Sequence, residues 1–303
     1  MSRTPQLLFV GLILAAIASA SRSDEGEPKS AQKPEGDAKP IFRSLPATKQ
    51  PNNRDAINLP KYANGRLTTS AVHGRFAFLI EPTGRVDSQR RWVWTFPFEQ
   101  ALADAHGKVQ QRFYVEKLLA SGFHVAGINV GVSCGSPAAA AVCDEFYKVL
   151  VSKHGLNKRA RLIGQSNGGL IAYAWAFRHP ECVDRIAGIY PATDLRTWPG
   201  LAQAVTYPAK GLDYGLMQGQ LTARLTEFNP IDNLRPLAKA GVKILHIHGD
   251  ADRLVPMDKN STELACRYRE FGGQADLIVL KGLAHGGASF FTSTAFADFL
   301  LAD

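Results

Sequence analysis

The chain has 303 residues, 45% hydrophobic and 20% charged, and its 35 Lys and Arg against 27 Asp and Glu give a formal charge of +8. That length and composition suit a globular protein with a real core, and they exclude a chain disordered throughout, a collagen-like repeat and a disulfide-stapled miniprotein. Four cysteines without a C-x-x-C pair exclude a zinc ribbon or a thioredoxin-like redox site, so no metal is expected from their spacing.

At the N-terminus, Arg3 precedes an apolar run over residues 7–18, and Ala18-Ser19-Ala20 offers the small residues a signal peptidase accepts. The run is about a dozen residues, shorter than the roughly 20 a spanning helix needs. Residues 1–20 are therefore expected to be a cleaved signal peptide, the protein to be exported (periplasmic or secreted), and no stable membrane span to remain. Residues 21–60 carry Pro28, Pro34, Pro40, Pro46 and Pro51 among charged and small residues, as a disordered linker does. The folded domain is expected over 61–303 and holds the basic excess. That excess suits either a solvated surface or attraction of anionic glycans. No Lys/Arg stripe interleaved with aromatics points to nucleic acid.

From residue 75 strands alternate with helices, the pattern of a mostly parallel sheet covered on both faces. Residues 76–80 and 91–95 read as strands, stopped by Pro82 and Pro97 respectively. Residues 109–121 read as a helix, with Tyr114/Leu118 and Val115/Leu119 four apart and Gly122 in a capping position. A buried strand follows over 124–130, then a helix whose face carries Val142, Phe146, Val149 and Leu150. Residues 160–163 form a short strand leading into Gly164-Gln165-Ser166-Asn167-Gly168-Gly169 and an apolar helix to residue 177. Residues 185–190 are strand-like. Residues 195–238, rich in aromatics and Pro, read as an irregular cap-like insertion. The last strands fall at 243–248 and 276–280. Between them Asn260-Ser261-Thr262-Glu263 reads as a capping box opening a helix, and Phe296, Phe299 and Leu300 mark a final amphipathic one.

A serine hydroxyl is a poor nucleophile at neutral pH, so a hydrolase must expose it in a tight turn beside a base. In Gly164-Gln165-Ser166-Asn167-Gly168 glycines two before and two after Ser166 let strand and helix pack around such an elbow. Gly131-Val132-Ser133-Cys134-Gly135 fits the same pattern and also follows a strand. Order favours Ser166: two strand-helix units separate it from the strand at Trp92, and three strands follow to deliver an acid and a base.

With that order the chain resembles the α/β-hydrolase family, whose nucleophile, acid and histidine come in this sequence. His248-Gly249-Asp250-Ala251-Asp252-Arg253-Leu254-Val255-Pro256 is similar to the family's acid loop, aligning Asp252 with the acid and Asp250 as its alternative. Lys281-Gly282-Leu283-Ala284-His285-Gly286-Gly287 resembles the histidine loop. The likeness covers about residues 70–303, and Asn229-Pro230-Ile231-Asp232 adds similarity to the prolyl-oligopeptidase-like and carboxylesterase branches. It implies an α/β-hydrolase fold with helices on both faces of the sheet, and catalysis by Ser166, Asp252 and His285 through an acyl-enzyme without metal or organic cofactor. Asn167 N–H is the implied first oxyanion donor. The lipase-type His-Gly-Gly-Gly is missing; Pro97 has no N–H, which leaves Phe96 N–H as the positional second donor.

The expected function is hydrolysis of carboxylic esters, small or carbohydrate-borne. The alternatives are a prolyl-oligopeptidase-like peptidase or amidase, disfavoured because the stretch before residue 109 cannot hold a propeller, and a non-catalytic binding protein. Other features stay open. His246 and His248 read as structural, and Cys134 and Cys143 as either a disulfide or two buried thiols, with the pairing of Cys182 and Cys266 undecided. Trp198, Tyr207, Tyr214 and Phe228 either line a substrate pocket or pack the insertion down.

Overall fold

The computed structural model describes residues 59–303. The expected signal peptide at 1–20 and the expected linker up to residue 58 lie outside the described residues.

Eight strands form one sheet in the order β1-β2-β4-β3-β5-β6-β7-β8. They are β1 (Gly65–Val72), β2 (Arg75–Pro82), β3 (Trp92–Phe96), β4 (His124–Ile128), β5 (Ala160–Gln165), β6 (Val183–Ile189), β7 (Lys243–Gly249) and β8 (Ala275–Leu280). β1 and β2 run antiparallel to their neighbours and the rest are parallel. The crossovers bring α1 (Arg112–Ala120), α2 (Pro137–Ser152), α3 (Gly168–Ala176) and α8 (Glu263–Glu270) onto the faces, and α9 (Thr294–Leu301) packs there after the last strand. Strand β1 is an addition to the strands read from the sequence. Its Leu-Thr-Thr-Ser run is mostly polar because it lies at the sheet's edge, and the two-residue turn His73-Gly74, with φ of 47° and 72°, joins it to β2.

Alternation along the strands divides the core in two. On one face Trp92 and Trp94 pack with Phe146 of α2 and Trp175 of α3, the Trp94 ring lying 5.0 Å from that of Trp175. On the other, Val93, Val125 and Ile163 meet Tyr114 and Leu118 of α1 and Phe296 and Leu300 of α9. Helix α1 begins at Arg112, since Val109 is held in a bridge with Ala103. It ends as Gly122 implies: the N–H groups of Gly122 and Phe123 return to the carbonyls of Leu119 and Leu118. Ser136 caps α2 by accepting from Ala139 N–H, with Pro137 in the first turn.

Two readings of local structure are corrected. The insertion is helical in short pieces, α4 (Leu201–Thr206), α5 (Gln218–Ala223), α6 (Leu225–Phe228) and α7 (Arg235–Lys239), each too short to announce itself by period. The Asn260 box does not cap α8. A wide turn, closed by Thr262 N–H on Met257 C=O, runs into that helix, and the Asn260 side chain instead takes the N–H of Thr193. Cys134 and Cys143 are buried free thiols, as are the less buried Cys182 and Cys266 free. Among the described residues no helix is long and apolar enough to cross a membrane.

Candidate active site

Ser166 follows β5 directly and has φ of 51°, a conformation non-glycine residues rarely adopt. Its backbone is tied on both sides: its N–H donates to Ile189 C=O, and its C=O accepts from Gly169 N–H and Ala192 N–H, both at 2.9 Å. The turn packs so closely that a Cβ on Gly168 would lie 2.1 Å from the Phe96 oxygen, and one on Gly169 2.5 Å from the Ala192 oxygen. The strained serine is therefore held at the carboxyl end of the sheet, beside the end of β3.

Strands β7 and β8 deliver two loops that press together there. A Cβ on Gly249 would be 2.1 Å from Leu283 O, and Ala251 N–H donates to that same carbonyl. Asp252 is buried, with Oδ1 accepting from the N–H groups of Leu254 and Val255 at 2.9 Å. Its Oδ2 lies 2.6 Å from His285 Nδ1, and His285 Nε2 lies 2.8 Å from Ser166 Oγ. A carboxylate only accepts, so Nδ1 carries the hydrogen and Nε2 is free to accept from the serine hydroxyl.

Burial works to raise the Asp252 carboxyl, but hydrogen bonds from His248 and His285, the His285 charge and the Val255 N–H outweigh it and hold the group below the usual carboxylate range. Asp250 serves elsewhere: Oδ1 accepts from Gly282 N–H at 2.6 Å and the carboxylate pairs with Lys281, fastening the outside of the histidine loop. Ser133 is buried, and its hydroxyl has no hydrogen-bond partner among the described residues. Phe96 lies within the sheet in register with Gly164 and is fully buried.

Several neighbours of the site carry no motif. Tyr190, with φ of 35°, sets its ring 4.3 Å from the His285 ring, and Gln165 Nε2 donates to its hydroxyl. Gln165 Oε1 accepts from Gln111, whose own oxygen accepts from Thr95. These residues come from four elements and loops between positions 95 and 190, so no local spacing marks them. In the insertion, Tyr214 and Phe228 pack down against Leu170 and Val255, while Trp198 and Tyr207 stay half-exposed. Among the described residues no group of three or more His, Cys, Asp or Glu is placed to hold a metal ion.

A mostly parallel sheet with this strand order, carrying a strained serine after β5, is an α/β-hydrolase fold, and with the family match it defines a serine hydrolase. Residues 143–300 match the prolyl oligopeptidase family, and the chain belongs to it. No curated protein matches the sequence. Among solved structures the chain is similar to a puromycin-hydrolyzing peptidase of Mycobacterium tuberculosis, with 16% identity and a TM-score of 0.60. That alignment covers 80% of this chain and 40% of the peptidase, so the chain spans well under half of that protein's length. A truncated carbohydrate esterase from gut microbiota aligns with 18% identity and a TM-score of 0.58, over 80% of this chain and 97% of the esterase. Carboxyl esterase 2 of the mycorrhizal fungus Tuber melanosporum aligns with 18% identity and a TM-score of 0.54, over 83% and 86%.

Proposed function

We propose that the protein hydrolyses carboxylic esters, small or carbohydrate-borne, with Ser166 as nucleophile, His285 as general base and acid, and Asp252 as the acid that orients it. The observation that carries this is the pair of short contacts that link Ser166 Oγ to His285 and His285 to Asp252. His285 takes the hydroxyl proton as Ser166 attacks the acyl carbonyl, then returns it to the leaving alcohol. Water, deprotonated by the same imidazole, releases the acid from the acyl-enzyme. Asp252 holds the imidazole's tautomer and stabilises its charged form.

The tetrahedral oxyanion needs donors worth about 3 kcal/mol each. Asn167 N–H is one, at the start of α3 where the helix itself offers it no acceptor. Phe96 N–H is the weaker second choice because Phe96 belongs to the β3–β5 register; Phe98 N–H, just beyond Pro97 and the carboxyl end of β3, is the better one. Two esterases that align over most of their own length support the ester reading. The family match favours a second reading, a peptidase or amidase. Export rests on the composition of residues 1–20.

Fluorophosphonate labelling tests the nucleophile. The intact protein is expected to label at one serine and Ser166→Ala to stay unlabelled; label that persists in that variant and disappears in Ser133→Ala moves the assignment. Relative turnover of p-nitrophenyl acetate and a proline-linked anilide then separates esterase from peptidase.

A further inference from the structure

Behind Asp252 lies a file of buried side chains that the reaction above does not use. Asp252 Oδ2 is 3.2 Å from His248 Nε2, and His248 Nδ1 is 2.7 Å from Ser261 Oγ. Ser261 Oγ is 2.9 Å from His246 Nδ1, and His246 Nε2 is 2.8 Å from the Tyr173 hydroxyl. All of them are buried.

The direction of every bond follows from its far end. His248 Nε2 faces two groups that only accept, the Asp252 carboxylate and the Val255 carbonyl at 2.9 Å, so Nε2 bears hydrogen. In a neutral ring Nδ1 is then bare and receives the Ser261 hydroxyl hydrogen. Having given its one hydrogen, Ser261 accepts from His246 Nδ1–H. His246 Nε2 is left bare and accepts from Tyr173 O–H. The two imidazoles thus hold opposite tautomers, and four donors in succession face the carboxylate. Burial keeps His246 neutral, pushing it down to about 3.

We propose that His248 is a positioning residue for Asp252, and that Tyr173, His246, Ser261 and His248 form a one-way hydrogen-bond chain that draws charge from the carboxylate and so sets how tightly it holds the His285 proton. This rests on the reading of Asp252 as the acid of the site. The titratable groups in contact with Asp252 are His248 and His285, and Tyr190 packs on His285 from the other side. In a low-dielectric interior successive bonds of one polarity strengthen one another. With the last donor removed, Asp252 keeps more charge and grips the imidazolium harder, so His285 becomes an active base only at higher pH.

Imidazole nitrogen-15 spectra of the wild-type protein at neutral pH read the tautomers without turnover, so their outcome is independent of whether fluorophosphonate labels Ser166. His248 protonated at Nε2 alone and His246 at Nδ1 alone are expected; His248 protonated at Nδ1, or at both nitrogens, overturns the proposal. In kcat/KM profiles His248→Phe is expected to lose about tenfold in rate and to move the acid limb upward by about half a pH unit, and His248→Gln, which keeps an N–H near Nε2, to return the limb. A limb that stays put or falls in His248→Phe, or that moves equally in both variants, overturns it too.

Discussion

Gly168 stands where no side chain fits, because its α-carbon faces the Phe96 carbonyl across the junction of β3 and α3. The obstacle is backbone on both sides, so it has little room to yield. Gly168→Ala is expected to cost about 3 kcal/mol of stability, at the upper end for overpacking, seen as a lower urea midpoint. Activity should fall further than stability, since the shift carries Asn167 and Ser166 with it. At this scale the sequence is a good guide to three side chains that the structure brings within hydrogen-bond distance of one another. Ser166, Asp252 and His285 each sit in a short stretch whose glycines and neighbours are contiguous, and contiguous patterns survive without coordinates. Tyr190, Gln165 and the His246–Ser261–His248 file have no such stretch. His246 and His248, which read as structural from the sequence, are buried and are linked to each other through Ser261, a link that no local pattern carries.

Between elements, the turn before α8 illustrates how a distant segment overrides a local signal. Asn260 Oδ1 accepts from Thr193 N–H at 2.9 Å, and Nδ2 donates to Pro256 C=O at 2.9 Å and to Thr197 Oγ1 at 3.1 Å. The residue that a capping box would spend on its own helix therefore fastens the loop after β6 to the loop that carries Asp252. Asn260→Ala strands a buried N–H and is expected to cost about 2 kcal/mol, measured by chemical denaturation, with KM or kcat also affected because both loops border the site. The fully buried amide leaves no room for a glycan on this Asn-Ser-Thr. Strand β1 was missed for a related reason: an edge strand with one open face has no need of the apolar run that marks β3 to β6.

For the molecule as a whole, two buried histidines set an acid limit on stability. Burial pushes His124 down to about 4, with the nearby Arg90 adding to it, and His246 down to about 3. Both begin from 6.5 when unfolded, so above that pH neither state holds the extra proton and nothing is lost. As pH falls below 6.5 the unfolded chain takes up protons the folded one refuses, and stability drops by about 1.4 kcal/mol per pH unit for each histidine. The Asp252 carboxyl, held low when folded, adds its own loss only below its ordinary 3.8. Urea midpoints are expected to fall steeply from pH 6.5 to 5 and to be flat between 7 and 8. The basic excess is partly occupied at the far end of the sheet from Ser166. Arg161 and Arg185 there donate to the last carbonyls of α9, Leu300 and Phe299, and pair with Asp184.

The linear chain by itself determined the order of strands β2 to β8 and of the longer helices, and its motifs, through their likeness to the α/β-hydrolase family, pointed to the class of fold and to one serine, one aspartate and one histidine. The element order follows from apolar periodicity and the serine's turn from its flanking glycines, both short-range consequences of backbone sterics and burial, whereas Asp252 and His285 stand out through the resemblance of their loops to those of the family. Only the folded sheet decided that Cys134 and Cys143 are not joined, that Asn260 serves another loop, and that a file of four side chains stands behind Asp252. Some of these partnerships reach far along the chain, as Tyr173 to His246 and Thr193 to Asn260 do, and others are near in sequence, but hydrogen-bond distance is a property of space that no spacing along the chain encodes.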